Sequence, residues 1–253
     1  YAFVYVYPSM GVLGIISIVL LSLINYEEKD LKPVKKSYFT MVKESWTNMI
    51  RVIKINKPYR DFEIGFMLYG FAFMTSVTVI NIFMVKVLDL SFTSIAFYKN
   101  LFNILAILIL PFVGKLIGHT DPRKFAIYTY LAKFLYILFI ALTQFYAWNA
   151  ELFGIQIYFL LLIGFIMFGV FTANMALLWN VGSAYFCSNE EAAHYQSIHL
   201  TLTGIRAMFA PFVGVYQIIG YWGVFALCNA ALLAAMIVQH YSMKRHINQP
   251  VTV

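Results

Sequence analysis

The chain has 253 residues, 62% of them hydrophobic and 11% charged, with a mean hydropathy of +0.77. An ordinary soluble domain carries about 25% charged residues, so a chain this apolar could not cover its own surface in water, and its solvent is a bilayer. The formal net charge of +7 therefore describes topology and attraction to anionic lipid, not nucleic-acid binding, because no soluble basic face exists to carry it.

A helix that crosses the hydrocarbon needs about 20 mostly apolar residues. On that measure the sequence predicts seven spans, at about 2–24, 62–87, 92–117, 124–147, 155–181, 194–219 and 221–243. The first begins YAFVYVYPSM, without an initiator Met or a basic leader. It does not read as a signal peptide, and the expectation is a longer chain whose beginning lies upstream.

The hydrophilic stretch 26–60 follows, with Lys29, Lys32, Lys35, Lys36, Lys43, Arg51, Lys54, Lys57 and Arg60. Inside it Phe39, Val42, Trp46, Met49, Ile50 and Ile53 recur at three- and four-residue steps, which predicts an amphipathic helix over 37–55. Ser37 is its candidate N-cap, and Pro58 helps to end it. Such a helix either packs on a partner or lies in the membrane interface with Trp46 among the headgroups, and the basic flank favours the interface.

The other basic clusters are Lys115, Arg123 and Lys124 between the third and fourth spans, and Lys244 and Arg245 after the last. With 26–60 they fall on one side if every span crosses, and that side is cytoplasmic by the positive-inside rule. The opposite turns, 88–91 and 148–154, carry Asp89 and Glu151. The turn at 187–193, with Glu190 and Glu191, departs only mildly from the rule, in which acids count little. Cys187 and Cys228 form no disulfide framework and no zinc spacing.

Arg206 stands in the middle of the apolar run HLTLTGIRAMFAPFVG. Within a helix over 194–219 it would lie about 18 Å from the start, where a free charge costs roughly 2.5–3.5 kcal/mol on insertion scales and 10–17 in simulations of isolated helices. Gln196, His199, Thr203, Arg206, Ala210, Val213 and Gln217 follow helical steps and make one polar or small-residue stripe, as expected of a helix lining a cavity. The alternative is that Arg206 binds carbonyls or an acid and only holds helices together. Weaker cavity candidates are Lys99 and Asn103 in the third span, Thr75, Thr78 and Asn81 in the second, and Asn174 and Asn180 in the fifth. Amides and hydroxyls of this kind also serve as interhelical glue. Lys133 could snorkel or pair and stays off the main site. No acid is expected deep in a span, with Glu63 placed at a cytoplasmic entrance. The Phe, Tyr and Met content reads as packing and interface belt. No HExxH, nucleophile elbow or phosphate loop supports enzymatic chemistry, a metal or a cofactor.

One span, a long loop and six spans on short turns resemble the last amino-half helix, central loop and whole carboxy half of the major facilitator superfamily. GKLIGHTDPRKF at 114–125 resembles the family's loop signature through Gly114, Leu116, Arg123 and Lys124, with Gly118 at the usual acidic position and Asp121 displaced. MALLWNVGSAYF and LTGIRAMFAPFVG are similar to stretches of bacterial members. PFVG also recurs at 111–114 and 211–214, as inverted three-helix repeats over 62–147 and 155–243 would place it; that offset aligns Lys99 with His199, Asn103 with Thr203 and Ala106 with Arg206.

The resemblance implies an all-α integral membrane fold of about seven transmembrane helices, six forming a half bundle of two inverted repeats. It divides the chain into the last amino-bundle helix at 1–25, a cytoplasmic loop with its amphipathic helix at 26–60, the six-helix bundle at 61–243 and a cytoplasmic tail at 244–253. It implies a secondary transporter of the bacterial inner membrane. The solute would be small, and anionic if Arg206 meets it. An amino-terminal half completes the cavity, and protons are one candidate coupling ion. The competing expectation is a seven-helix sensor or receptor without transport, against which the long 26–60 segment speaks.

Overall fold

A computed structural model describes residues 3–23, 37–208 and 216–246. The elements are α1 Phe3–Ser22, α2 Tyr38–Ile55, α3 Lys57–Lys86, α4 Phe92–Ile117, α5 Pro122–Thr143, strands β1 Asn149–Leu152 and β2 Ile155–Tyr158, α6 Phe159–Val181, a 3-10 turn Ser183–Phe186, α7 Ala192–Ala207 and α8 Tyr216–Arg245. The protein is an all-α membrane fold. Among the described residues α3, α4, α5, α6 and the Ile218–Arg245 part of α8 are long and apolar enough to cross a bilayer, and Pro8–Leu20 is a shorter apolar helix.

The chain divides into two compact units, Tyr1–Trp46 and Thr47–Val253. In the first, the side chains of residues 8–20 are exposed, and all but a few are hydrocarbon, as suits a helix whose solvent is lipid. The second half of α2 belongs to the second unit, where Met49 is buried and Val52 and Ile53 pack against the core. That part of the apolar stripe serves packing. Phe39, Val42 and Trp46 of the same stripe are exposed.

Pro58 acts differently from expectation. The helix α2 ends at Ile55, and α3 begins at once, five residues before the predicted span. Asn56 caps it by accepting a hydrogen bond from the Tyr59 N–H, and Pro58 sits in the first turn, where its fixed φ favours a helix and its missing N–H costs nothing.

In the second unit α8 packs between α3 and α5, α5 between α8 and α6, and α6 between α5 and α4. The core is aromatic. Tyr69 stacks on Tyr130 with centroids 5.2 Å apart, Tyr136 on Phe168 at 4.4 Å, and Phe168 meets Phe171 at 5.5 Å. At Gly169 a Cβ would come within 2.9 Å of the Leu105 side chain and 3.1 Å of the Phe102 carbonyl oxygen, so the glycine sets how closely α4 and α6 approach. The face of α4 carrying Ile104, Ile107, Leu108 and Phe112 is exposed, as a lipid-facing surface would be.

Three predicted spans have different limits. The chain from 149 to 158 is an antiparallel hairpin, with Asn149 opposite Tyr158 and Leu152 opposite Ile155, and α6 starts only at Phe159. Phe153 and Gly154 both have positive φ, the backbone of a type I′ turn. Tyr98 on α4 holds the hairpin: its hydroxyl accepts from the Tyr158 N–H at 2.8 Å and donates to the Gln156 carbonyl at 3.2 Å. Tyr98→Phe leaves that part-buried N–H unpaired, and the loss of such a bond costs about 1 kcal/mol. A lower melting temperature of the detergent-solubilised protein, with faster hydrogen exchange at Tyr158, is the expected result.

The predicted helix over 194–219 is α7, which ends at Ala207; Ala210, Val213 and the second PFVG lie in 209–215, outside the described residues. Arg206 thus stands in the last helical turn of α7 instead of mid-helix, where a cation also meets the negative end of the helix dipole. The last helix begins at Tyr216 and is broken at Gly220, whose φ of 70° and ψ of 176° are not helical.

Candidate functional site

One face of α3 carries Tyr59, Glu63, Phe66 and Gly70 at three- and four-residue steps, with Asn56 at its cap. The helix α7 lies against this face through a seam of polar contacts. Asn56 Nδ2 donates to the Phe186 carbonyl at 2.8 Å and to the Tyr195 hydroxyl at 3.1 Å. The Tyr59 hydroxyl donates to the Tyr195 carbonyl at 2.8 Å. His199 Nδ1 lies 2.9 and 3.1 Å from the two Glu63 carboxylate oxygens. Arg206 Nη1 donates to the Phe66 carbonyl at 3.2 Å, and the guanidinium carbon sits 5.9 Å from the Phe66 and Tyr69 rings.

Gly70 makes the arginine's position possible. A Cβ there would collide with Nη1, Cζ and Nε of Arg206. His199 is wedged by rings, with Phe66 at 4.4 Å and Trp179 at 5.1 Å, both edge to face. Arg206, His199 and Glu63 are 8%, 1% and 3% exposed. Glu63, near the start of α3, is a buried acid, because α7 covers it with His199. Four polar atoms of this layer, His199 Nε2, Arg206 Nε, Tyr130 Oη and Gln239 Oε1, have no hydrogen-bond partner among the described residues.

Beside the seam a groove of about 420 Å³ lies between α3, α4 and α6. Its walls are mostly aromatic: Tyr69 and Phe73 from α3, Phe102 from α4, and Phe168, Phe171 and Trp179 from α6, with Thr172 and Asn180 as polar points. Tyr69 and Trp179 are shared, facing the groove while touching Arg206 and His199 respectively. In sequence these rings read as packing, because they converge from three helices and share no spacing within one.

Lys133 neither snorkels nor pairs. It is fully buried on α5, with Nζ 4.5 Å from the Tyr136 ring, 4.6 Å from Phe168, 5.0 Å from Phe73 and 5.4 Å from Phe171. Its ammonium has no hydrogen-bond partner among the described residues. Ring faces around a desolvated cation contribute about 2 kcal/mol or more at best.

The other expected cavity residues are dispersed. Asn174 is buried on α6. Thr203 is half-buried and donates to the His199 carbonyl at 2.9 Å. Lys99 and Asn103 are exposed on α4, with Asn103 donating to the Lys99 carbonyl at 2.8 Å. The aligned pairs Asn103–Lys99 and Thr203–His199 therefore make the same local bond. Thr78 is exposed, and Asn81 donates to the Val77 carbonyl at 2.9 Å.

In the loop signature Asp121 caps α5 and pairs with Arg123 at 2.7 Å. Buried Arg123 also donates to the Ser242 carbonyl at 3.2 Å and its hydroxyl at 3.3 Å, tying α5 to α8. The displaced acid thus has the arginine as its partner. Lys124 and Gly114 are exposed, and a Cβ at Gly114 would meet nothing. Cys187 and Cys228 are free and buried. Burial, with a smaller contribution from Glu191, pushes the Cys187 thiol above its usual range.

Apolar helices long enough to cross a bilayer, packed around a buried polar seam, define an integral, multi-pass membrane protein. A family pattern, that of the Major Facilitator Superfamily, matches residues 1–211. The chain belongs to that superfamily, whose members are transporters of small molecules across lipid bilayers. No curated protein and no solved structure matches it.

Proposed function

We propose that the chain is the carboxy-terminal half of a secondary active transporter that moves a small solute by alternating access, and that the groove between α3, α4 and α6 is its share of the substrate route. The observation that carries this reading is the groove itself: about 420 Å³, within the range of small-molecule sites, and walled by membrane helices. An amino-terminal helical half would complete the cavity. Arg206 and His199, one ring behind the wall, favour a solute with an anionic group. That group would reach Arg206 as α7 shifts along its seam with α3, with Lys99, Asn103, Thr78, Asn81, Asn174 and Thr203 as further candidate contacts. The basic clusters support a cytoplasmic side for 26–60, the 114–125 loop and the carboxy terminus, and the membrane in this reading is a bacterial inner membrane. Protons are one candidate coupling ion. The sensor reading has no observation in its favour.

Asn180 is exposed and lines the groove, while the protein's own cysteines here are buried. In full-length protein, Asn180→Cys should react with a membrane-impermeant thiol reagent from one side at rest and from the other when an opposing solute gradient is imposed. Reaction from one side alone under every condition would overturn alternating access through this groove.

A further inference from the structure

An aromatic groove ordinarily attracts cations, because the faces of its rings carry negative potential. Here the rings are already occupied from behind. Phe73, Phe168 and Phe171 line the groove, and each has the Lys133 ammonium within 5.4 Å of its centroid. Tyr69, a further wall, has the Arg206 guanidinium 5.9 Å away. Tyr69 is thus backed by a guanidinium, and the other three walls by an amine that is a positive charge when it holds its proton.

Among the described residues no acid lines the groove. Glu63, the acid of the neighbouring seam, is engaged by His199. Among the described residues Lys133 has neither a salt bridge nor a hydrogen-bond partner. When Lys133 is protonated, its field crosses one layer of aromatic rings into the groove with no counter-charge beside it among the described residues.

We infer that the groove selects its solute by charge, taking a compact organic anion with an apolar or aromatic body and rejecting the matching cation, and that Lys133 sets this preference through the ring wall. Lys133 is then a specificity-determining residue that need not touch the solute. The inference rests on the groove being a substrate route, as proposed above.

Three probes of one size test it: 4-nitrobenzoate, 4-nitrobenzyl alcohol and 4-nitrobenzyltrimethylammonium. Each quenches nearby indole fluorescence. Trp179 lines the groove, and its signal is the difference between full-length protein and its Trp179→Phe variant in an uncharged detergent. The expected order of half-quenching concentrations is anion, alcohol, cation, with about tenfold or more between the extremes, as a desolvated charge at this range would give. Lys133→Met keeps an unbranched chain among the four rings and removes a buried charge, a type of change that is often neutral or stabilising. It should narrow the gap between anion and cation several-fold, leaving what Arg206 contributes through Tyr69, and Lys133→Gln serves the same purpose if the Met variant does not fold. A cation that binds as tightly as the anion, or a gap left undiminished by loss of the lysine, overturns this inference and leaves the groove a route. Absence of Trp179 quenching by all three probes overturns the route as well.

Discussion

Gly70→Ala should abolish transport, an effect out of proportion to one methyl group. Within a helix the exchange ordinarily stabilises by about 0.5–1 kcal/mol, because glycine loses more backbone freedom on folding. At this position the new Cβ would occupy the space of the Arg206 guanidinium. The guanidinium would have to leave the Phe66 carbonyl and the faces of Phe66 and Tyr69 at a buried site. Losing a hydrogen bond to a buried charged group costs about 1.5–3 kcal/mol, so the sign of the ordinary effect reverses. Arg206→Ala alone should also stop transport while leaving the protein inserted. Arg206→Lys keeps the charge but not the planar fork, and should recover little. The decisive comparison is the double variant. With Arg206→Ala present, Gly70→Ala meets an empty space and should raise the melting temperature over the single arginine variant. Additive effects in that cycle, or normal transport by Gly70→Ala, would mean that α3 and α7 are not locked together here.

Much of the bundle was legible because lipid imposes a simple length rule. Runs of about 20 apolar residues mark α3, α4, α5 and α6, and helical periodicity marks α2. The departures come from short-range competition that such a rule does not see. Pro58 can end one helix or begin the next, and Asn56, which caps α3 through the Tyr59 N–H, decides for the second. The residues IQIY before α6 alternate as a strand does, and Phe153 and Gly154 make the turn that lets them pair. In the site, Arg206 and His199 stood out because charge is rare in such a segment. Their partners did not, since Glu63 lies 136 positions from His199 and reads on its own as a polar residue near a helix start. Gly70 is one glycine among 14, and only the arginine packed against it gives it meaning. Lys133 was visible as a charge, but its four rings come from three helices, and no spacing within one helix could have gathered them.

Glu63 and His199 should show a strongly non-additive response. Both are nearly inaccessible, and Nδ1 to carboxylate is 2.9 Å. Removing one partner of a buried pair strands the other in low dielectric, which typically costs about 3–5 kcal/mol. His199→Ala would leave the Glu63 carboxylate without its imidazole, and Glu63→Ala would leave an imidazole held only by Phe66 and Trp179. Each single variant should therefore lower the melting temperature of the solubilised protein sharply. Replacing both, Glu63→Met with His199→Leu, exchanges the pair for hydrocarbon of similar bulk between α3 and α7, an exchange that is often neutral or stabilising in buried pairs. The double variant should melt close to the parent protein. Stability and transport should then separate, because hydrocarbon can hold α7 on α3 but offers no polar contact to exchange when the helices move. A double variant that melts well but no longer transports assigns the pair to the working cycle. If it transports at the parent rate, the pair is a fastening alone. If the two single losses simply add, the contact between Glu63 and His199 contributes nothing to holding α7 in place.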